Sequence, residues 1–226
     1  MVITGGTRGL GRALAEEGIA RGYRIVMCAP DRGEVDAIAA EIGAVPYAVD
    51  ITREEDLCAF ARFVVAQYGE IDVWINNAGV WMPHTPVEEL SLGRVRAIFE
   101  INVFGTIIGS KCALTHMRKQ SAGTIVNVIS VSALTGHPLS SGYAASKWAI
   151  RGFTESLRAE CRRSGIRVIS VYPGPMRTGL FDEQPPADFN EYLLPEVVAK
   201  KIIANLSFKK PKEELAITRP VPRRAR

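Results

Sequence analysis

The sequence has little with which to hold a metal or staple itself together. Its four cysteines, Cys28, Cys58, Cys112 and Cys161, are scattered and none forms a CxxC pair. That excludes zinc-ribbon and thioredoxin-type motifs, and the expectation is buried, reduced thiols in a cytoplasmic protein. The three histidines, His84, His116 and His137, lie far apart and offer no ligand set, so no metal is expected. No run approaches the roughly 18 apolar residues of a membrane span. Met1 opens directly onto a strand pattern, so a signal peptide is not expected. Charge of one sign is lacking too: 28 basic against 24 acidic residues leave +4, too balanced for a nucleic-acid partner. The excess is local, in Lys209, Lys210, Lys212, Arg219, Arg223, Arg224 and Arg226, with residues 220–226 read as a solvated basic tail. Neither an internal repeat nor a low-complexity tract is present.

What the chain does have is apolar material, 47% of its residues, enough for one large core without disulfides or metals. Short apolar runs alternate with amphipathic stretches. The strand candidates are Met1–Thr4, Arg24–Ala29, Val45–Val49, Val73–Asn76, Thr124–Ser130, Arg167–Tyr172 and Leu215–Thr218. Several are nearly continuous in Val and Ile, as strands covered on both faces are. Helix patterns lie between them at Leu10–Arg21, Val35–Ile42, Arg53–Tyr68, Leu92–Lys119, Gly142–Ser164 and Pro195–Leu206. Thr52 followed by Glu55 reads as a capping box for the third. This alternation predicts an α/β fold: a Rossmann-type, doubly wound, seven-stranded parallel sheet with helices on both faces. One domain, residues 1–226, is expected. The polar stretch at residues 181–194 interrupts the rhythm late enough to be an insertion within the domain rather than a linker.

Between the first strand and first helix runs Thr4-Gly5-Gly6-Thr7-Arg8-Gly9-Leu10-Gly11. In that setting backbone N–H groups and a helix N-terminus can receive a pyrophosphate. Gly5 would allow the tight turn, Gly9 the approach of phosphate, and Gly11 the packing of helix on strand. The second strand ends at Ala29, where a carboxylate would ordinarily bind the ribose of NAD. Further on, Tyr143 and Lys147 are four apart on one helix face. An ammonium beside a phenol favours phenolate, which makes a tyrosine a usable acid or base. Ser130 ends a strand at the carboxyl edge of the sheet, where its hydroxyl could polarise a carbonyl oxygen. Asn102 sits within a helix pattern, where an amide needs partners.

Taken together these motifs resemble the short-chain dehydrogenase/reductase family, in its compact single-domain branch. Thr4–Gly11 is similar to the family's TGxxxGxG turn, Asn76-Asn77-Ala78-Gly79 to its NNAG motif, and Tyr143-Ala-Ala-Ser-Lys147 to its YxxxK motif. Ser130 stands thirteen residues before the tyrosine, the family's spacing for its serine. The resemblance implies a catalytic tetrad of Asn102, Ser130, Tyr143 and Lys147. Tyr143 would exchange the proton, Lys147 would lower its pKa and hold the nicotinamide ribose, Ser130 would orient the substrate, and Asn102 would hold a relay water. It also implies cofactor contacts at Asp50 and Ile51 with adenine, at Asn77, Ala78 and Gly79, and at Pro173, Gly174 and Thr178 beside the nicotinamide, and a short substrate lid at residues 181–194.

The expected activity is hydride transfer between a nicotinamide cofactor and a carbonyl or secondary alcohol. The alternatives are reduction of a 3-oxoacyl thioester, which the C-terminal Ile217–Pro222 segment does not resemble, and a non-catalytic NADP-binding sensor or scaffold. Ala29, together with Arg8 in the turn and Arg32 as a second cation, favours NADP(H) over NAD(H). Asp31 is the counterweight. Trp81 and Met82 are candidates for the substrate pocket, His137 for its rim, and Trp148 for helix packing. A homodimer or homotetramer is expected through Leu92–Lys119 and Gly142–Ser164, because Ile98, Ile101, Phe104, Ile107 and Ile108 spread over more than one helix face.

Overall fold

A computed structural model describes residues 1–219; the basic tail at 220–226 lies outside the described residues. Seven strands form one parallel sheet: β1 (Val2–Thr4), β2 (Val26–Ala29), β3 (Val45–Ala48), β4 (Val73–Asn76), β5 (Gly123–Val128), β6 (Ile166–Pro173) and β7 (Glu214–Ile217). Their spatial order is β3-β2-β1-β4-β5-β6-β7, so the winding reverses between β1 and β4. Such a reversal leaves a crevice at the carboxyl ends of the strands. Strand alternation sends Ile3, Met27, Ile75 and Val126 to one face, where they pack with Leu14, Ile202 and Ile203. Val2, Val26, Trp74 and Ile125 go to the other, with Leu57, Phe60 and Met117. Pro46 is tolerated because β3 is an edge strand.

The helices are α1 (Gly9–Ala20), α2 (Arg32–Ile42), α3 (Glu54–Tyr68), α4 (Leu92–Ile98), α5 (Gly105–Gln120), α6 (Ser141–Cys161) and α7 (Pro195–Leu206). All six expected helix patterns and all seven strands are present, with ends moved by a few residues. The capping box at the third helix is not. Thr52 instead bonds Asp50 Oδ1 through both its N–H and its hydroxyl, and α3 begins beyond Arg53 without a side-chain cap.

The Leu92–Lys119 pattern is one continuous helix in which a π-helical segment, Phe99–Phe104, joins α4 to α5. At 29 residues it is long and apolar enough to cross a membrane, contrary to the expectation from apolar runs alone. Half of its most apolar stretch is buried, because Gly105 and Gly109 bring α5 close over Ile51 and Asn76. Of the five apolar residues that suggested a second face, Ile98 is buried, Ile101 lines the cleft, Ile107 and Ile108 are half-buried, and Phe104 is exposed. Trp148, expected to pack within the fold, is 46% exposed with Arg151 over its ring.

The cysteine expectation needs a larger correction. α3 and α5 lie side by side on one face of the sheet, with the Cα atoms of Cys58 and Cys112 5.1 Å apart and their sulfurs bonded as a disulfide. Sequence spacing conceals this pair because 54 positions separate its members. Cys28 and Cys161 are free, buried thiols, as expected.

Candidate active site

One large cleft, about 740 Å³, opens along the carboxyl edge of the sheet. It has two arms. The first runs from the glycine-rich turn past Ala29 and Asp50 to Gly79, and the second from Tyr143 and Ser130 out to the lid.

The first arm is built on positions that tolerate no side chain. Gly5 and Gly9 have φ of +65° and +53°, a region open mainly to glycine. A Cβ on Gly11 would run into the carbonyl oxygen of Gly5 and come within 2.6 Å of Asn77 Nδ2. The turn is locked from beneath. Thr4 Oγ1 accepts from the N–H groups of Asn77 and Ala78, and Asn77 Nδ2 donates to the carbonyls of Thr4 and Gly5. At the start of α1 no side chain caps the helix and the first turn holds no acid. Its first N–H groups therefore face the cleft ready for an anion, the arrangement a dinucleotide pyrophosphate requires. This arm fits a dinucleotide.

Every residue expected to touch the cofactor lines the cleft except Arg32. Arg32 starts α2, where Asp31 caps the helix by accepting from Glu34 N at 2.7 Å, and this turn leaves Arg32 outside the cleft. Asp31 is likewise committed to capping. Glu34 lines the cleft instead, a position the strand-end count to Ala29 could not reach.

In the second arm the structure brings Ser130, Tyr143 and Lys147 together. Lys147 Nζ lies 5.6 Å from the centre of the Tyr143 ring. Both residues are buried, in a cluster where Met82, Ile98 and Val95 surround the phenol. Burial dominates their chemistry. The Tyr143 phenol is pushed up to about 12, partly offset by a hydrogen bond with Ser130. The Lys147 ammonium is pushed down to about 8 by the same desolvation. Burial, and not the lysine expected from their spacing to lower it, therefore sets the tyrosine pKa in the protein alone. Ser130 Oγ also accepts from Ser132 N at 3.1 Å, which fixes its rotamer.

Asn102 is fully buried in the π-helical segment and does not line the cleft. Its amide accepts from Val80 N at 2.8 Å and donates to Val80 O and Ser146 Oγ. Its carbonyl accepts from Thr106 Oγ1. These bonds commit Asn102 to holding the segment after β4, not to holding a relay water through its side chain. Gly79 completes that corner: a Cβ there would sit 3.2 Å from Asn102 Oδ1 and 3.6 Å from Lys147 Nζ.

The outer wall was only partly legible. Trp81 and His137 line the cleft as expected, whereas Met82 lies beneath as packing. His84, Met176, Leu180, Phe181 and Tyr192 also line it. The aromatics recurring at 181, 189 and 192 within an otherwise polar loop were the available signal. Among the described residues no three His, Cys, Asp or Glu side chains gather as metal ligands.

A dinucleotide cradle at the switch point of a parallel sheet, next to a buried Ser–Tyr–Lys cluster, defines a nucleotide-dependent oxidoreductase. The chain belongs to the short-chain dehydrogenase family, whose model matches residues 1–188. It is 33% identical over 184 residues to the L-fucose dehydrogenase of Bos taurus, covering 81% of this chain and 68% of that protein. It is 32% identical to the 3-alpha-(or 20-beta)-hydroxysteroid dehydrogenase of Mycobacterium bovis, over 85% of this chain and 74% of that one. Among solved structures, ElxO with NADP bound superposes with a TM-score of 0.88 at 26% identity, covering 96% of both chains. The chemistry of this family is hydride transfer between a nicotinamide and a carbonyl or secondary alcohol.

Proposed function

We propose that the protein is an NADP(H)-dependent carbonyl reductase or alcohol dehydrogenase, with Tyr143 as its proton-transfer group. The observation that carries this reading is the buried Ser130–Tyr143–Lys147 cluster opening into the same cleft as the glycine cradle. When bound, the nicotinamide supplies or accepts the hydride. Gly5 to Gly11 and the start of α1 would hold the pyrophosphate, Asp50 and Ile51 the adenine, and Lys147 the nicotinamide ribose. Pro173, Gly174 and Thr178 would flank the nicotinamide.

With its pKa near 12, the Tyr143 phenol keeps its proton throughout the neutral range, ready to give it to a carbonyl oxygen. Ser130 donates to that same oxygen and steadies the charge developing on it. Lys147, protonated below about 8, offsets the charge left on the phenolate. Asn102 contributes by position, tying Val80 and Ser146 to the helix that bears Tyr143.

The preference for NADP(H) rests on Ala29, which leaves no carboxylate at the strand end to repel a 2′-phosphate, and on Arg8 at the mouth of the cleft. The carboxylate of Glu34 favours the opposite reading, NAD(H). Fluorescence titration of both reduced cofactors separates them. Tighter NADPH, weakened by Arg8→Ala, is the expected result; tighter NADH would reverse it. The proposal extends to a homo-oligomer, supported by the exposed Phe104 and Trp148. It extends also to the cytoplasm, which the free thiols of Cys28 and Cys161 favour and the Cys58–Cys112 disulfide opposes.

A further inference from the structure

The substrate end of the cleft has a chemical character of its own. Trp81, from the segment after β4, meets Phe181 of the lid edge-on, with ring centres 5.0 Å apart. Phe181 in turn meets Tyr192 edge-on at 5.5 Å. Met176 and Leu180 also line the cleft. Phe189 backs the aromatic wall, 5.8 Å from Tyr192 and 6.5 Å from Phe181. Edge-to-face aromatic pairs of this kind present a firm apolar surface with partly positive ring edges.

At this end the one charged side chain lining the cleft is Lys147, buried beside Tyr143. The charged side chains lining the cleft are Arg8, Glu34, Asp50 and Lys147, all within the cofactor's reach. Three of the lid's four acids are paired away from it: Glu183 with Arg94, and Asp188 and Glu191 with Arg219 at 3.1 and 3.0 Å; the fourth, Asp182, lies against Gly179 and does not line the cleft. The Arg219 guanidinium stacks 5.2 Å over Tyr192, which holds the aromatic wall in place from behind. Polar groups at this end are few, chiefly Ser132, His84 and His137. A carboxylate laid against Trp81 and Phe181 would lose its water without a cation in that wall to meet it, Lys147 being buried at Tyr143, and a polyol would leave most of its hydroxyls unpaired. An uncharged ring loses little and gains contact area.

Resting on the hydride-transfer reading, we infer that the substrate is an uncharged ring-bearing ketone or secondary alcohol, with the ring laid against Trp81 and Phe181 and the oxygen at Tyr143. Sugars and hydroxy acids are disfavoured by the same wall.

The test uses 2-acetylnaphthalene, its analogue carrying a ring carboxylate, and L-fucose. Binding is measured by calorimetry on Tyr143→Phe protein loaded with reduced cofactor, and turnover on the unmodified protein. The neutral ring ketone should bind at least tenfold tighter than the other two. Trp81→Ala and, separately, Phe181→Leu should each weaken it several-fold while cofactor affinity and the circular dichroism spectrum stay as they were. Equal or tighter binding of the carboxylate or the sugar overturns the inference, as does failure of the ring ketone to bind or indifference to both wall variants. Should the ring ketone bind through Trp81 yet never be reduced, the hydride-transfer reading fails and the assignment of the pocket stands. Reduction without preference for the neutral ring overturns the pocket assignment and leaves hydride transfer standing.

Discussion

At Tyr143 and Lys147 the structure sets two costs against each other. Each side chain is buried, and each is pushed toward its neutral form. Tyr143→Phe removes the exchangeable proton and nothing else of consequence to packing. Reduction should fall by roughly 10²–10⁴-fold, with cofactor affinity in fluorescence titration unchanged. Lys147 makes a sharper prediction about stability. Its pKa is near 8 in the fold and 10.5 when exposed, so charging it in the protein alone costs on the order of 3 kcal/mol. Between pH 8 and 10.5 the unfolded chain binds more protons at this position than the folded one, and stability from Lys147 therefore rises with pH across that window. Lys147→Met should be inactive yet melt no lower than the unmodified protein at pH 7. The difference between the two should shift in favour of the unmodified protein as pH rises from 8 to 10.5. A Lys147→Met melting temperature well below that of the unmodified protein at pH 7 would show the ammonium to be a net stabiliser instead.

Among the elements, the junction of β1 with α1 is the least forgiving. Gly11 sits against the Gly5 carbonyl and Asn77, both backbone or hydrogen-bonded, so an added methyl can be accommodated only by moving the turn. Gly11→Ala should lower stability by about 1–3 kcal/mol and weaken cofactor binding at least tenfold, read by denaturant melts and titration. That turn was legible because glycine spacing reports backbone geometry directly, and the parallel sheet because strands such as Ile125-Val126 and Val168-Ile169 announce burial on both faces. Besides the Cys58–Cys112 bond, three features were illegible or only partly legible, each for a physical reason. The π-helical segment at Phe99–Phe104 leaves no mark in an apolar pattern that tolerates a local phase shift. Glu34 reaches the cleft only because Asp31 turns the chain into α2. The aromatic wall joins Trp81 to Phe181 and Tyr192 across a hundred positions, a contact that only the folded sheet creates.

For the molecule as a whole, the exposed apolar residues on the long helices bear on assembly. Phe104 and Trp148 are each nearly half exposed, and the first lies on the α4–α5 helix and the second on α6. Light scattering at micromolar concentration should give a mass above that of one chain, and Trp148→Glu with Phe104→Glu should reduce it to one. A single-chain mass for the unmodified protein rejects the assembly. The Cys58–Cys112 bond has a different whole-molecule consequence, because it closes the chain into a covalent ring. Inside the ring run β4, the Asn76–Gly79 cradle and Asn102; outside it lie Ser130, Tyr143 and Lys147. The stretch around Val87 and Leu92, at 67% and 66% exposure, is the part of that ring most open to a protease. A single cut there opens the ring without releasing a fragment: the nicked protein should keep one mass under non-reducing denaturing conditions and separate into two pieces when a thiol is added.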